Sequence, residues 1–163
     1  MNCSAFNIAE ESPKNHLEMI SKLYTGDSDL YAWQAKLVKA VKVVSVEKIP
    51  EIANDVYRLI KMFQAKQCYQ NAYQVASHIS GVEYVEGFAD IVGIPIDHAF
   101  NVYKGQYFDV TGELVLKREV EKDVYFKVMT YSHSEMNKLA VATGTYGGYL
   151  KAYYKLFIKK EAA

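Results

Sequence analysis

The sequence holds few residues that impose structure by covalent or conformational force. It has only two cysteines, Cys3 and Cys68, and Cys3 sits close to the N-terminus. That excludes a disulfide framework and points to a reducing compartment. Three prolines, Pro13, Pro50 and Pro95, leave no proline-rich linker, and each stands where an element is expected to begin or end. Neither charge sign dominates: 19 Lys and Arg face 19 Asp and Glu, which argues against a protein that lives by binding nucleic acid or an anionic membrane. No apolar run approaches the roughly 18 residues of a spanning helix. The segment Met1 to Asn7 lacks a basic patch followed by an apolar core, so no signal peptide is expected. Internal repeats and low-complexity segments are also missing.

Half of the 163 residues are apolar and 23% are charged, the balance of one domain able to bury a core. Fourteen tyrosines stand against seven phenylalanines. Tyrosine suits half-buried surfaces and clefts, which fits a binding groove, although such rings also line ordinary helix and sheet margins.

The first half reads as helical. Ser12-Pro13 forms an N-cap with proline at the first helical position, and Leu17, Ile20 and Leu23 follow at helical spacing. A second helix is expected from Leu30 to Val44, with Trp33, Leu37, Ala40, Val41 and Val44 on one stripe. Pro50 opens a third, with Ile52, Val56, Leu59, Ile60 and Phe63 facing the core, and a fourth runs from Cys68 to about Ile79. After Ser80-Gly81 the pattern becomes β-rich: Val82 to Ala89, Ile96 to Tyr103, Gln106 to Val110 and Val124 to Met129. Helices return over Ser134–Ala142 and Tyr146–Lys159. Helices, then an antiparallel sheet, then helices is an α+β order.

The chemistry concentrates between Lys66 and Thr111. Cys68 sits at an expected helix start, where unpaired N–H groups and the positive end of the helix dipole favour a thiolate. By itself it also reads as a small apolar residue packed with Ala72, Val75, Ala76 and Ile79. His98 shares a strand face with Phe100 and Val102. A two-residue turn at Lys104-Gly105 would pair Phe100 with Asp109 and make Asp109 the diagonal neighbour of His98, about 7–8 Å away at the backbone. A turn at Gly105-Gln106 would separate them. In the first register His98 can take the thiol proton of Cys68 while Asp109 holds the imidazole tautomer. The Cys68 backbone N–H is one oxyanion donor, with Gln67, Gln64 and Trp33 as candidates for the second.

These residues resemble the transglutaminase-like branch of the papain-like thiol enzymes: a cysteine at a helix start, the strand Tyr84-Val85-Glu86-Gly87-Phe88, then His98-Ala99-Phe100, a hairpin, and Asp109-Val110-Thr111. Lys66 replaces a frequent glycine two before the cysteine, and Phe100 a more usual tryptophan. The resemblance spans residues 66–111. It implies a single domain, 1–163, with N-terminal helices on a small antiparallel sheet, a papain-like or transglutaminase-like core and a C-terminal helix. Cys68 would be the nucleophile, His98 the base and Asp109 the orienting acid of a cysteine hydrolase of amide bonds: a peptidase, amidase or glutamine deamidase. An amine acceptor would instead make it a transglutaminase or N-acyltransferase, and loss of activity would leave a protein-binding module on the same fold. The expected partner is a protein or peptide substrate bearing an amide or glutamine side chain, with no cofactor, nucleic acid or membrane. A compact cytoplasmic domain of this type would suit a bacterial or phage protein. Zinc is the competing use of cysteine, histidine and aspartate, but neither C-x-x-C nor H-x-x-x-H is present.

Overall fold

The alternation of β-branched and aromatic residues after Gly81 builds the centre of the molecule. The structure, a computed structural model, describes residues 41–91 and 95–158. In chain order it contains β1 (Lys42–Val44), β2 (Val46–Glu47), α1 (Ala53–Arg58), α2 (Cys68–His78), β3 (Val82–Asp90), β4 (Pro95–Tyr103), β5 (Gln106–Phe108), β6 (Val124–Tyr131), α3 (His133–Thr143) and α4 (Leu150–Tyr153). The strands form one six-stranded sheet in the order β1-β6-β3-β4-β5-β2. The architecture is mixed α+β. The helix expected at 12–24, and residues 30–40 of the next, lie outside the described residues.

β3 is the central strand, and Tyr84 to Ala89 are buried on both of its faces. It pairs antiparallel with β4 from Val82↔Tyr103 to Asp90↔Pro95, and with β6 on its other side. One face of the sheet packs Tyr84 and Ala99 against Ala72, Val75 and Ala76 of α2, together with Val56, Leu139 and Tyr149. The other gathers Val85, Phe100, Val102, Val120 and Tyr125. The Lys104-Gly105 turn takes positive φ at both residues, 49° and 86°, the geometry that matches the twist of a two-residue hairpin. It sets the pairs Tyr103↔Gln106, Val102↔Tyr107 and Asn101↔Phe108.

Several expectations are corrected. The sheet is not wholly antiparallel, because β2 runs parallel to β5; the helices and the β3–β4 hairpin between them provide the long crossover that parallel pairing needs. Residues 42–44 are not the end of a helix but the edge strand β1, paired with Tyr125 to Lys127. The β-branched Val43 and Val44 suit that pleated setting. The apolar stripe from Ile52 to Phe63 is broken. Ile52 and Val56 are buried, but Ile60 is 39% exposed, because α1 ends at Arg58 and a 3₁₀ turn over Ile60–Met62 changes the residue period. The last helix begins at Leu150, not Tyr146, since Gly148 adopts φ 72° and interrupts the helical path. α3 starts at a Ser132–Glu135 capping box, slightly earlier than its apolar pattern suggests.

Gly87 marks a register shift in the β3–β6 ladder. A Cβ there would lie 1.9 Å from the Phe126 carbonyl oxygen, whereas one on Gly105 meets nothing within 4 Å. Gly87→Ala is therefore expected to destabilise the protein by at least about 2 kcal/mol in urea titration. Gly105→Ala should lose only the positive-φ preference, about 1 kcal/mol. Equal losses would show that the β3–β6 approach is looser than described.

Candidate active site

Cys68 is the first residue of α2. Its N-cap residue, Gln67, makes no side-chain capping hydrogen bond, so the positive end of the helix faces the thiol without a local acceptor from that side chain. Two residues earlier Lys66 has φ 64°, a left-handed backbone that a glycine adopts without cost. Lys66 thus makes a glycine-type turn into the helix.

The loop before Cys68 is clamped by Asn71, one turn along α2 and fully buried. Asn71 Oδ1 accepts from the Gln64 N–H at 2.9 Å. Its Nδ2 donates to the Gln64 carbonyl at 2.8 Å and to Thr111 Oγ1 at 3.0 Å. One side chain therefore ties the loop entering α2 to the segment following Asp109.

His98 comes from β4 and is 4% exposed. Its ring lies nearly parallel to Phe100, 18° between planes, and is tilted against Tyr125. Nε2 meets Asp109 Oδ2 at 2.8 Å, which leaves Nδ1 for the Cys68 thiol, near enough to raise the ring's basicity. The short β5 makes this approach feasible. Its pairing stops at Asn101↔Phe108, so among the described residues no strand covers that edge of β4 at His98 and Ala99, and the Ala99 backbone helps to favour the Cys68 thiolate.

Asp109 does not continue β5, as the strand expected to Val110 would have it. Its Oδ1 accepts from the Thr111 N–H at 2.9 Å, an Asx turn that bends the chain out of the sheet, and its carbonyl accepts from the Glu113 N–H. The wide helical turn Thr111–Val115 follows. Oδ2 also accepts from Tyr125 Oη at 2.9 Å, and the Gly112 backbone adds a further bond. A Cβ on Gly112 would stand 2.7 Å from Oδ2, so glycine is what lets the turn close on the carboxylate.

The charges follow from these contacts. Burial pushes the Cys68 thiol up, but the hydrogen bond and charge of His98, with the Ala99 backbone, outweigh it and hold the thiol below its ordinary value; the Asp109 charge opposes them. Burial pulls His98 down, and the Asp109 charge and hydrogen bond, then Cys68, push it up to about 10. Burial likewise raises Asp109, but His98, the Gly112 backbone and Tyr125 leave it below the usual carboxylate range. At neutral pH His98 is held as imidazolium and Asp109 as carboxylate, and their pairing draws Cys68 toward the thiolate.

The structure brings Cys68, His98 and Asp109 together. Of the oxyanion candidates, Gln67 stands at the helix start, the Gln64 N–H is committed to Asn71 so that only its side-chain amide could serve, and Trp33 lies outside the described residues, as does Cys3. Asn71, Gly112 and Tyr125 are site residues that the sequence reading missed. An asparagine one turn after the cysteine, on the face carrying Ala72 and Val75, is a usable signal for Asn71. Tyr125 has none, since it arrives from a strand beyond the hairpin. The chain matches no family model, and no curated protein or solved structure matches it.

Asn71→Ala removes three hydrogen bonds, two to the Gln64 backbone and one to the buried Thr111 hydroxyl. The expected loss is about 2–4 kcal/mol in chemical denaturation. A loss under about 1 kcal/mol would mean the loop before Cys68 is held by something else.

Proposed function

We propose that the protein is a cysteine-dependent acyl-transfer enzyme, a hydrolase of amide bonds, built on a transglutaminase-like or papain-like core. One observation carries this reading: a single buried imidazole is bonded at Nε2 to a buried carboxylate and lies close enough to a thiol at a helix start for the two to shift each other's charge. The strand Tyr84-Val85-Glu86-Gly87-Phe88 lying beside His98 supports the choice of core.

In this mechanism the Cys68 thiolate attacks the substrate carbonyl carbon, and the carbonyl electron pair moves to oxygen. The Cys68 backbone N–H, with the Gln67 or Gln64 side-chain amide as second donor, stabilises that oxyanion. Collapse breaks the C–N bond, the leaving amine takes the His98 proton, and a thioester remains on Cys68. Water then attacks the thioester as neutral His98 removes its proton. The carboxylic acid departs, and the thiolate–imidazolium pair is restored. Asp109 orients the ring and stabilises its charge without itself transferring a proton. Water is the assigned acceptor because it needs no second binding site. An amine in its place would give transglutamination or N-acyl transfer through the same thioester.

Two measurements test the reading. Against a panel of peptide amides and glutamine peptides, Cys68→Ala and His98→Ala should each lower kcat/KM on the order of 10⁴-fold or more, and Asp109→Asn by less. In a Cys3→Ser background, iodoacetamide should label Cys68 at pH values below the ordinary thiol range. The rate should fall as pH drops through the depressed thiol value, and His98→Ala should move the profile upward, because burial remains while the imidazolium is lost. An ordinary thiol profile with no turnover would leave a binding module.

A further inference from the structure

Glu86 is the second buried carboxylate of the sheet, 3% exposed, and the mechanism does not use it. It faces the side of β3 opposite to that of Gly87, whose partner across the ladder is His98. Burying a carboxylate in a core costs several kcal/mol unless donors meet it. Here the donors are specific. Tyr84 Oη donates at 2.9 Å and Tyr131 Oη at 3.5 Å. The Tyr149 N–H reaches both carboxylate oxygens at 3.0 Å, and the Gly148 backbone adds another bond. Two of these four partners are backbone groups of the turn between α3 and α4. Packing alone does not call for a charge here; a carboxylate is the side chain that can hold two successive amides at once.

The turn so held presses on the residue after Cys68. A Cβ on Gly147 would lie 2.5 Å from Tyr69 Cβ, so the backbone of the turn rests directly on that side chain. Beside this contact is an open groove of about 330 Å³, lined by Gln67, Tyr69 and Gln70 and by Thr145 to Gly148. No lining side chain carries a charge. Gly147 and Gly148 add no side chain to their wall, where the Gly147 carbonyl accepts from Thr145 Oγ1 at 3.1 Å, and Tyr69 and Tyr146 add aromatic rings. Tyr146 is 49% exposed and packs against Tyr73.

We infer that this groove is the substrate cleft flanking Cys68, that it takes an uncharged, extended peptide chain, and that Glu86 is the positioning residue that sets its far wall. The inference rests on the proposed thiol chemistry and deepens it. A wall of two glycines leaves room for a peptide main chain to lie against it, and charged side chains would find no counter-ion among the lining residues.

The test compares alkylation of Cys68 by chloroacetone and by acetyl-Ala-Ala chloromethyl ketone, in the Cys3→Ser background, for the parent, Glu86→Gln and Gly147→Ala. Chloroacetone reads the thiolate alone; the peptidyl reagent also reads the cleft. The parent should react at least tenfold faster with the peptidyl reagent, and acetyl-Asp-Asp and acetyl-Lys-Lys chloromethyl ketones should lose that advantage. Glu86→Gln should retain the chloroacetone rate within twofold and lose most of the peptidyl preference through weaker saturation, not a slower limiting rate. Gly147→Ala, whose added Cβ would press on Tyr69 with the Glu86 contacts left in place, should also lose most of the peptidyl preference. A parent without peptidyl preference, a preference for either charged reagent, or a preference unchanged in both variants would overturn the inference. A parent sluggish toward chloroacetone at every pH would instead overturn the thiol chemistry itself.

Discussion

The Asp109 carboxylate is 1% exposed, and an uncompensated charge at that depth would cost several kcal/mol. Its compensation defines the site. His98 on β4 supplies a cation at 2.8 Å, Tyr125 on β6 a hydroxyl, and the Asx turn two backbone amides. Each donor belongs to a different part of the sheet or its margin, so the carboxylate can be buried only once β4, β6 and the turn after β5 are all in place. The same demand orients the imidazole, and with it the nitrogen that meets Cys68.

Glu86 shows how different the outcome is when only neutral groups meet a buried carboxylate. Burial raises its pKa, and the backbone and tyrosine hydrogen bonds recover only part of that rise. Asp109 is buried at least as deeply, yet it shifts the other way because its chief partner is cationic. Tyr84, Tyr131 and Tyr149 are all fully buried, and around Glu86 their rings fill the core while two hydroxyls and one backbone amide serve the acid. That accounts for part of the tyrosine excess: phenylalanine would fill the same volume and leave the carboxylate without those hydroxyl donors.

Much of this was legible along the chain where local rules act alone. The helix from Cys68 follows from its apolar spacing, and the paired strands β3 and β4 from alternation and β-branching. Gly105 marks the hairpin turn, with Lys104-Gly105 one of the two placements it allows. Legibility failed where a distant partner overrides local preference. Lys42 to Val44 reads as the tail of a helix, and pairing with β6 makes it a strand. Tyr146 to Tyr149 reads as the start of a helix, but the backbone amides of Gly148 and Tyr149 are captured by Glu86, more than sixty residues back.

What the sequence determined by itself is a set of chemical capacities at fixed local positions: a thiol at a helix start, an imidazole on a strand, a carboxylate two residues before a threonine, and glycines where backbones must approach. Tertiary structure decided which of these meet. The hairpin register could place His98 and Asp109 together or apart. The early end of β5 opened the edge of β4 to Cys68, and Tyr125 joined the site from a strand with no local claim on it. The physical reason is one of range. Turn and helix preferences act over a few residues, whereas compensating a buried charge selects whichever distant donors the folded sheet can bring within about 3 Å.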